Sequence, residues 1–101
     1  MSVRILLWHR VDGDGAPVRD AYHRVSRALA GTPGLLGNQL LRSAVDPASF
    51  VVMSEWTSLA AFQDWEGGAT HRGTTAPLRR YQDPRRQPPY EILETVAAYP
   101  S

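Results

Sequence analysis

The chain has 101 residues, 43% of them hydrophobic and 21% charged, which suits one globular domain over residues 1–101. Its net charge of +1 makes no electrostatic case for nucleic acid or an anionic membrane, and no apolar run approaches the about 20 residues of a membrane span. There is no cysteine and all 11 basic residues are arginine, which excludes disulfides, thiolate nucleophiles and lysine Schiff bases and leads us to expect a cytoplasmic protein.

Val3 to Val11, VRILLWHRV, reads as a first strand. Val3, Ile5, Leu7 and His9 share one face, and Arg4, Leu6, Trp8 and Arg10 share the other. Both faces are apolar in the middle, so both sides are expected to be covered. Asp12 to Pro17 is a turn cluster without the spacing of a calcium loop. A helix should open at Pro17 or Val18, with Val18, Tyr22, Val25 and Leu29 as its apolar stripe and His23 on the surface. Gly31 to Gly34 ends it.

Leu35 to Val45 is a second strand, with Gly37 marking a bulge or a close backbone approach. Asn38, Leu40 and Arg42 fall on one face, and Leu35, Gln39 and Leu41 on the other, unless Gly37 shifts the register. Asp46 to Ser49 turns the chain back into a third strand, Phe50 to Trp56. Thr57 and Ser58 can cap a second helix carrying Phe62 and Trp65. Gly67-Gly68 breaks that helix, His71 follows on a short second segment, and Ala69 to Tyr81 is partly helical, with Pro77 tolerated only near a helix start. Asp83 to Pro89 is a loop whose Arg85 and Arg86 are either solvated or able to grip an acidic ligand. Tyr90 to Tyr99 is a last strand.

The order βαββαβ is that of the ferredoxin-like α+β fold, a four-stranded antiparallel sheet with helices on one face. The second apolar sheet face is most simply covered by another copy, giving a homodimer of two sheets packed face to face. A pocket then lies between sheet and helices. His71 is the best candidate base, because its ordinary pKa lies near neutrality. Trp56 and Trp65 bracket the strand-to-helix joint, either as core or as the wall of a pocket. No metal site is expected, since the three histidines show no ligand spacing.

The phrase FVVMSEWTSLAAFQDWEGGATHR, with PGLLGNQLLRSAVDP before it and PPYEILETVAAY at the end, resembles the antibiotic biosynthesis monooxygenase family over essentially the whole chain. The resemblance implies a dimeric α+β barrel that oxidises a phenolic aromatic polyketide to a quinone with molecular oxygen and no cofactor. The alternative is a related barrel that cyclises or only binds such a molecule. Trp56 matches the family tryptophan closing the third strand, and Trp65 the aromatic of the second helix. Taken together, the pocket reading makes His71 and Trp65 the catalytic candidates, and Trp56, His9, Asn38, Phe62 and Arg72 the substrate-binding ones. Haem-degrading relatives pair the helical tryptophan with a histidine ten residues on, where this chain has Thr75, and use an asparagine on the first strand, which is absent here. Haem cleavage is therefore not expected. Quinone-forming relatives carry an asparagine four residues before the strand tryptophan, where this chain has Val52. Asn38 can stand in for it only if it faces the pocket.

Overall fold

In a computed structural model, which describes residues 2–101, the chain runs β1 (Val3–Arg10), α1 (Ala16–Leu29), β2 (Leu35–Arg42), β3 (Ser49–Trp56), α2 (Leu59–Glu66), α3 (His71–Arg79) and β4 (Tyr90–Glu94). The strands form one antiparallel sheet in the order β2-β3-β1-β4, the ferredoxin-like arrangement. Strand alternation then sorts the side chains. Val3, Ile5, Leu7 and His9 share a face with Trp56, Ser54, Val52 and Phe50, their partners across the ladder. The helices pack on this face. Val18, Val25 and Leu29 of α1 and Leu78 of α3 bury against Phe50, while Phe62 of α2 buries with Val3, Ile5 and Trp56. Each such aliphatic or aromatic side chain stabilises the fold by roughly 1.5–3 kcal/mol.

On α1 the stripe is displaced by one position. Ala21 is buried, whereas Tyr22 is only half-buried and turns its hydroxyl toward Asn38 on β2. The small residue meets the close-packed core, and the long one reaches past it. The bulge at Gly37 is present as a register shift between Leu35 and Gly37. It places Leu35 opposite Trp56 on the helix side, not beside Gln39 and Leu41 as strict alternation suggests. Gly34 lies at φ 84° where β2 meets α2, and its carbonyl accepts from the Thr57 N–H at 2.8 Å. A Cβ there would stand 2.5 Å from the Ala61 Cβ, so the joint needs glycine.

The second helical stretch splits into α2 and α3 at the Gly67-Gly68 break. Ser58 caps α2, its Oγ accepting from the Ala61 N–H at 3.1 Å. Ser58→Ala is expected to cost about 1 kcal/mol, read as a fall in denaturation midpoint with the cavity described below unchanged. Pro77 sits well inside α3, contrary to the expectation that it needs a helix start. In so short a helix only one ladder bond is lost, and packing of Leu78 holds the turn in place of it.

Two strands are shorter than their sequence suggests. β2 stops at Arg42 because Ser43 already bonds back to Ser49 across the turn (2.9 Å). β4 stops at Glu94 and not Tyr99 because its partner β1 has run out: Glu94 pairs with Val3, and Thr95 N–H reaches Ser2 O at 3.1 Å. Beyond it Val96 and Tyr99 are 86% and 94% exposed. The sheet face away from the helices carries Leu6, Trp8, Leu41, Val51, Met53 and Leu93, with no helix over it among the described residues. The Arg86 guanidinium, 4.3 Å from the Trp8 ring centre, covers part of it.

Candidate active site

Between the helix-bearing sheet face and the three helices lies a cavity of about 230 Å³. All seven side chains expected at the site from sequence border it: His9, Asn38, Trp56, Phe62, Trp65, His71 and Arg72. β1 supplies His9, β2 supplies Asn38, β3 supplies Trp56, and the two sides of the glycine break supply Trp65 and His71.

One wall is aromatic. Trp56 lies 5.2 Å from Trp65 between ring centres at 33°, and Phe62 stands nearly edge-on to Trp56 at 5.5 Å and 72°. Trp56 is 1% exposed, its Nε1–H donating to Ser54 Oγ at 3.0 Å, so it backs the wall. Trp65 is half-buried and borders the space. His71 meets Trp65 edge-to-face, with ring centres 4.4 Å apart and an angle of 89°. The break at Gly67-Gly68 makes this possible, because a continuous helix would carry residue 71 past the indole.

His71 Nδ1 is buried and has no hydrogen-bond partner among the described residues. Burial pushes the pKa of His71 down; Glu66 opposes this, and Arg79 and Arg72 reinforce it. A neutral imidazole with an unsatisfied nitrogen beside an indole can accept a proton or a hydrogen bond from a ligand hydroxyl. His9 is 2% exposed, and its Nδ1–H donates to Leu7 O at 3.0 Å, which leaves Nε2 as the acceptor nitrogen of the neutral ring. Burial lowers its pKa to about 4, against the raising effect of the Leu7 carbonyl. Asn38 faces the cavity, as a stand-in amide must. Its Oδ1 accepts from Tyr22 Oη (2.5 Å) and Ser26 Oγ (3.1 Å), which fixes the side chain and leaves its NH₂ without a partner among the described residues. Arg72 is exposed at the rim.

Sequence reading missed Tyr22, Ser26, Thr75, Arg79, Gln82 and Tyr90, which also border the cavity. Thr75 and Arg79 were legible in part, since they follow His71 at four and eight residues on one helix face. Gln82 was not: it arrives because the segment after α3 pairs with the end of β1, Asp83 N–H bonding to Trp8 O at 3.0 Å. Among the described residues no cluster of three or more histidines and acidic side chains could hold a metal, and no helix is long and apolar enough to cross a membrane.

The family model for antibiotic biosynthesis monooxygenases matches residues 9–76. The chain belongs to that family. Among curated proteins, this antibiotic biosynthesis monooxygenase family member is 33% identical over 96 residues to protein SchA of Streptomyces halstedii, covering 94% of this chain and 25% of that protein. It is 36% identical over 77 residues to a protein in the whiE locus of Streptomyces coelicolor, covering 75% of this chain and 19% of that one. The chain thus spans about a quarter or less of the length of these two relatives. A mycobilin-producing heme oxygenase of Mycobacterium tuberculosis is 34% identical over 67 residues, covering 63% of this chain and 64% of the oxygenase. Among solved structures, SnoaB, a cofactor-independent oxygenase from Streptomyces nogalater, superposes with a TM-score of 0.77 at 20% identity over 99% of this chain and 98% of that one. This last likeness speaks for the fold alone.

Proposed function

We propose that the protein is a cofactor-independent monooxygenase that converts a phenolic aromatic polyketide intermediate to a quinone with molecular oxygen. The observation that carries this reading is an indole ring and an unpartnered imidazole nitrogen, Trp65 and His71, meeting in one sheltered space. Membership of the antibiotic biosynthesis monooxygenase family supports it.

The chemistry follows from the residues. Trp65, backed by Trp56 and Phe62, holds a planar ring by stacking. His71 accepts the proton of the phenol or of its acidic ring carbon. The resulting anion is electron-rich and gives one electron to oxygen; carbon radical and superoxide then combine to a peroxide anion, which takes the proton back from His71. Loss of water from the peroxide leaves the new carbonyl, with one oxygen atom in product and the other in water. His9 and Asn38 offer an acceptor and a donor to the ring oxygens. A neutral His9 leaves the floor uncharged, so a phenolate there is stabilised by dipoles and is not quenched by water. At about 230 Å³ the cavity is small beside the roughly 300–1,000 Å³ of sites for drug-sized ligands, which suits a compact fused-ring core and disfavours haem.

Oxygen uptake and quinone absorbance on incubation with an anthrone-type phenol test the proposal. Wild-type protein should consume one oxygen molecule per quinone formed, and His71→Ala should lose roughly 100-fold in kcat with little change in KM. Undiminished turnover in His71→Ala would remove His71 from the mechanism. A second reading, a cyclase or a binder of such rings, is favoured by Val52, which borders the cavity where quinone-forming relatives carry an asparagine. Tight binding with no oxygen uptake would select it.

In this reading the protein works as a homodimer, two copies packing the uncovered sheet face with Leu6, Trp8, Val51 and Met53 against each other. The lack of cysteine supports a reducing, cytoplasmic setting.

A further inference from the structure

Floor and mouth of the cavity differ in charge. The floor is buried and neutral, built from Trp56, Phe62 and an uncharged His9. The mouth carries two guanidinium groups, Arg72 and Arg79, both bordering the same space. Arg4, Arg10 and Arg85 are paired with carboxylates, but neither Arg72 nor Arg79 makes an ion pair among the described residues. Glu66 also borders the cavity and is paired with neither.

Arg79 is held in a fixed pose. Its side chain folds back along α3, Nη2 donating to Thr75 Oγ1 (3.0 Å) and to Arg72 O (3.0 Å). Thr75 in turn donates to His71 O at 3.0 Å, so the arginine is tied to the turn that carries the candidate base. Nη2 is thus used for position, and among the described residues Nη1 and Nε have no partner. A flexible, solvated arginine would not be anchored twice. A guanidinium fixed in this way has already lost the side-chain freedom that binding usually costs, and its Nη1 and Nε hydrogens remain to donate to a carboxylate oxygen.

We propose that the cavity selects aromatic substrates that carry a carboxylate on their periphery, the ring resting on Trp65 and the carboxylate received at the mouth by Arg79 with Arg72. This rests on the reading of the cavity as an aromatic-binding site, and it adds the charge of the substrate and the direction in which it enters. The acidic group stays at the wet rim while the ring to be oxidised reaches the dry floor, so a substrate is oriented before any chemistry.

Binding of 2-naphthoate and of its neutral isostere 2-naphthamide, followed by tryptophan fluorescence or calorimetry, tests this without turnover. The naphthoate should bind roughly tenfold more tightly than the amide at low salt, and added salt should narrow the gap. Arg79→Gln should bring the two affinities together while leaving that of the amide unchanged. Arg80→Gln, exposed and outside the cavity, should keep the full preference. If Arg79→Gln does not fold, Arg72→Gln at its exposed position decides, with an expected partial loss of preference. Equal binding of the two ligands to wild type, or an undiminished preference in both variants, overturns the carboxylate proposal and leaves the aromatic site intact. Failure of wild type to bind either ligand overturns the aromatic site itself.

Discussion

Trp56→Ala is expected to lower the unfolding free energy by about 3–5 kcal/mol, a large part of the roughly 5–15 kcal/mol available to a small domain. Trp56 is 1% exposed and buried among Val3, Ile5 and Phe62, and its Nε1–H is satisfied by Ser54. Truncation removes the contacts of a whole indole and leaves Ser54 Oγ without its donor. The neighbouring strands cannot close the gap, because β1 and β3 are fixed by their ladder. Trp65→Ala should cost much less stability, since that ring is half-buried and already borders empty space. The pair separates the two possible jobs of a tryptophan. Urea midpoints should fall steeply for Trp56→Ala and little for Trp65→Ala, whereas ring binding should be lost in Trp65→Ala. Similar midpoints for the two variants would contradict this division.

The second large effect is on acid stability. His9 is buried and its pKa is lowered from 6.5 to about 4, so the folded state resists the protonated ring. Between these values the unfolded chain binds the proton first, and stability rises with pH across that window. The contribution of a neutral His9 is complete above pH 6.5 and is lost as pH falls to about 4, a change of roughly 3 kcal/mol. His71, also shifted down by burial, adds a smaller change of the same sign. Asp46 and Asp83 do not act in this window: Arg10 holds the first and Arg85 the second below the usual carboxylate range, so their loss comes at lower pH. Urea midpoints of wild type and His9→Gln measured through the window decide the matter. The wild type should weaken steeply toward acid and the variant much less; parallel curves would show that His9 is not the cause.

Much of this was legible in the sequence, for physical reasons that differ between elements. Alternation in VRILLWHRV grouped His9 with Val3, Ile5 and Leu7, but whether that face met the helices or a partner was open until the structure showed Ile5 and His9 buried on the helix side. The Ser58 cap and the Gly67-Gly68 break were readable because both are local backbone chemistry. The side taken by Leu35 was not, because a bulge moves one residue without a fixed signature, and the end of β4 was not, because it depends on where another strand begins. The site shows the same division. Trp65 and His71 lie six residues apart across one break and could be paired by eye. Tyr22 with Asn38, or His9 with Gln82, meet only through tertiary packing, and nothing near them in the chain announces it.

The three tryptophans offer the most direct test of the central claim, that a planar phenolic ring lies beneath the helices against Trp65. Trp56 and Trp65 border the cavity, whereas Trp8 lies on the opposite sheet face under Arg86. In a ¹H–¹⁵N spectrum each indole gives its own N–H signal, and anaerobic titration with an anthrone-type phenol separates them without turnover. The Trp65 signal should move most, Trp56 less, and Trp8 not at all. Movement of Trp8 alone, or of none of the three at saturating ligand, would contradict the account.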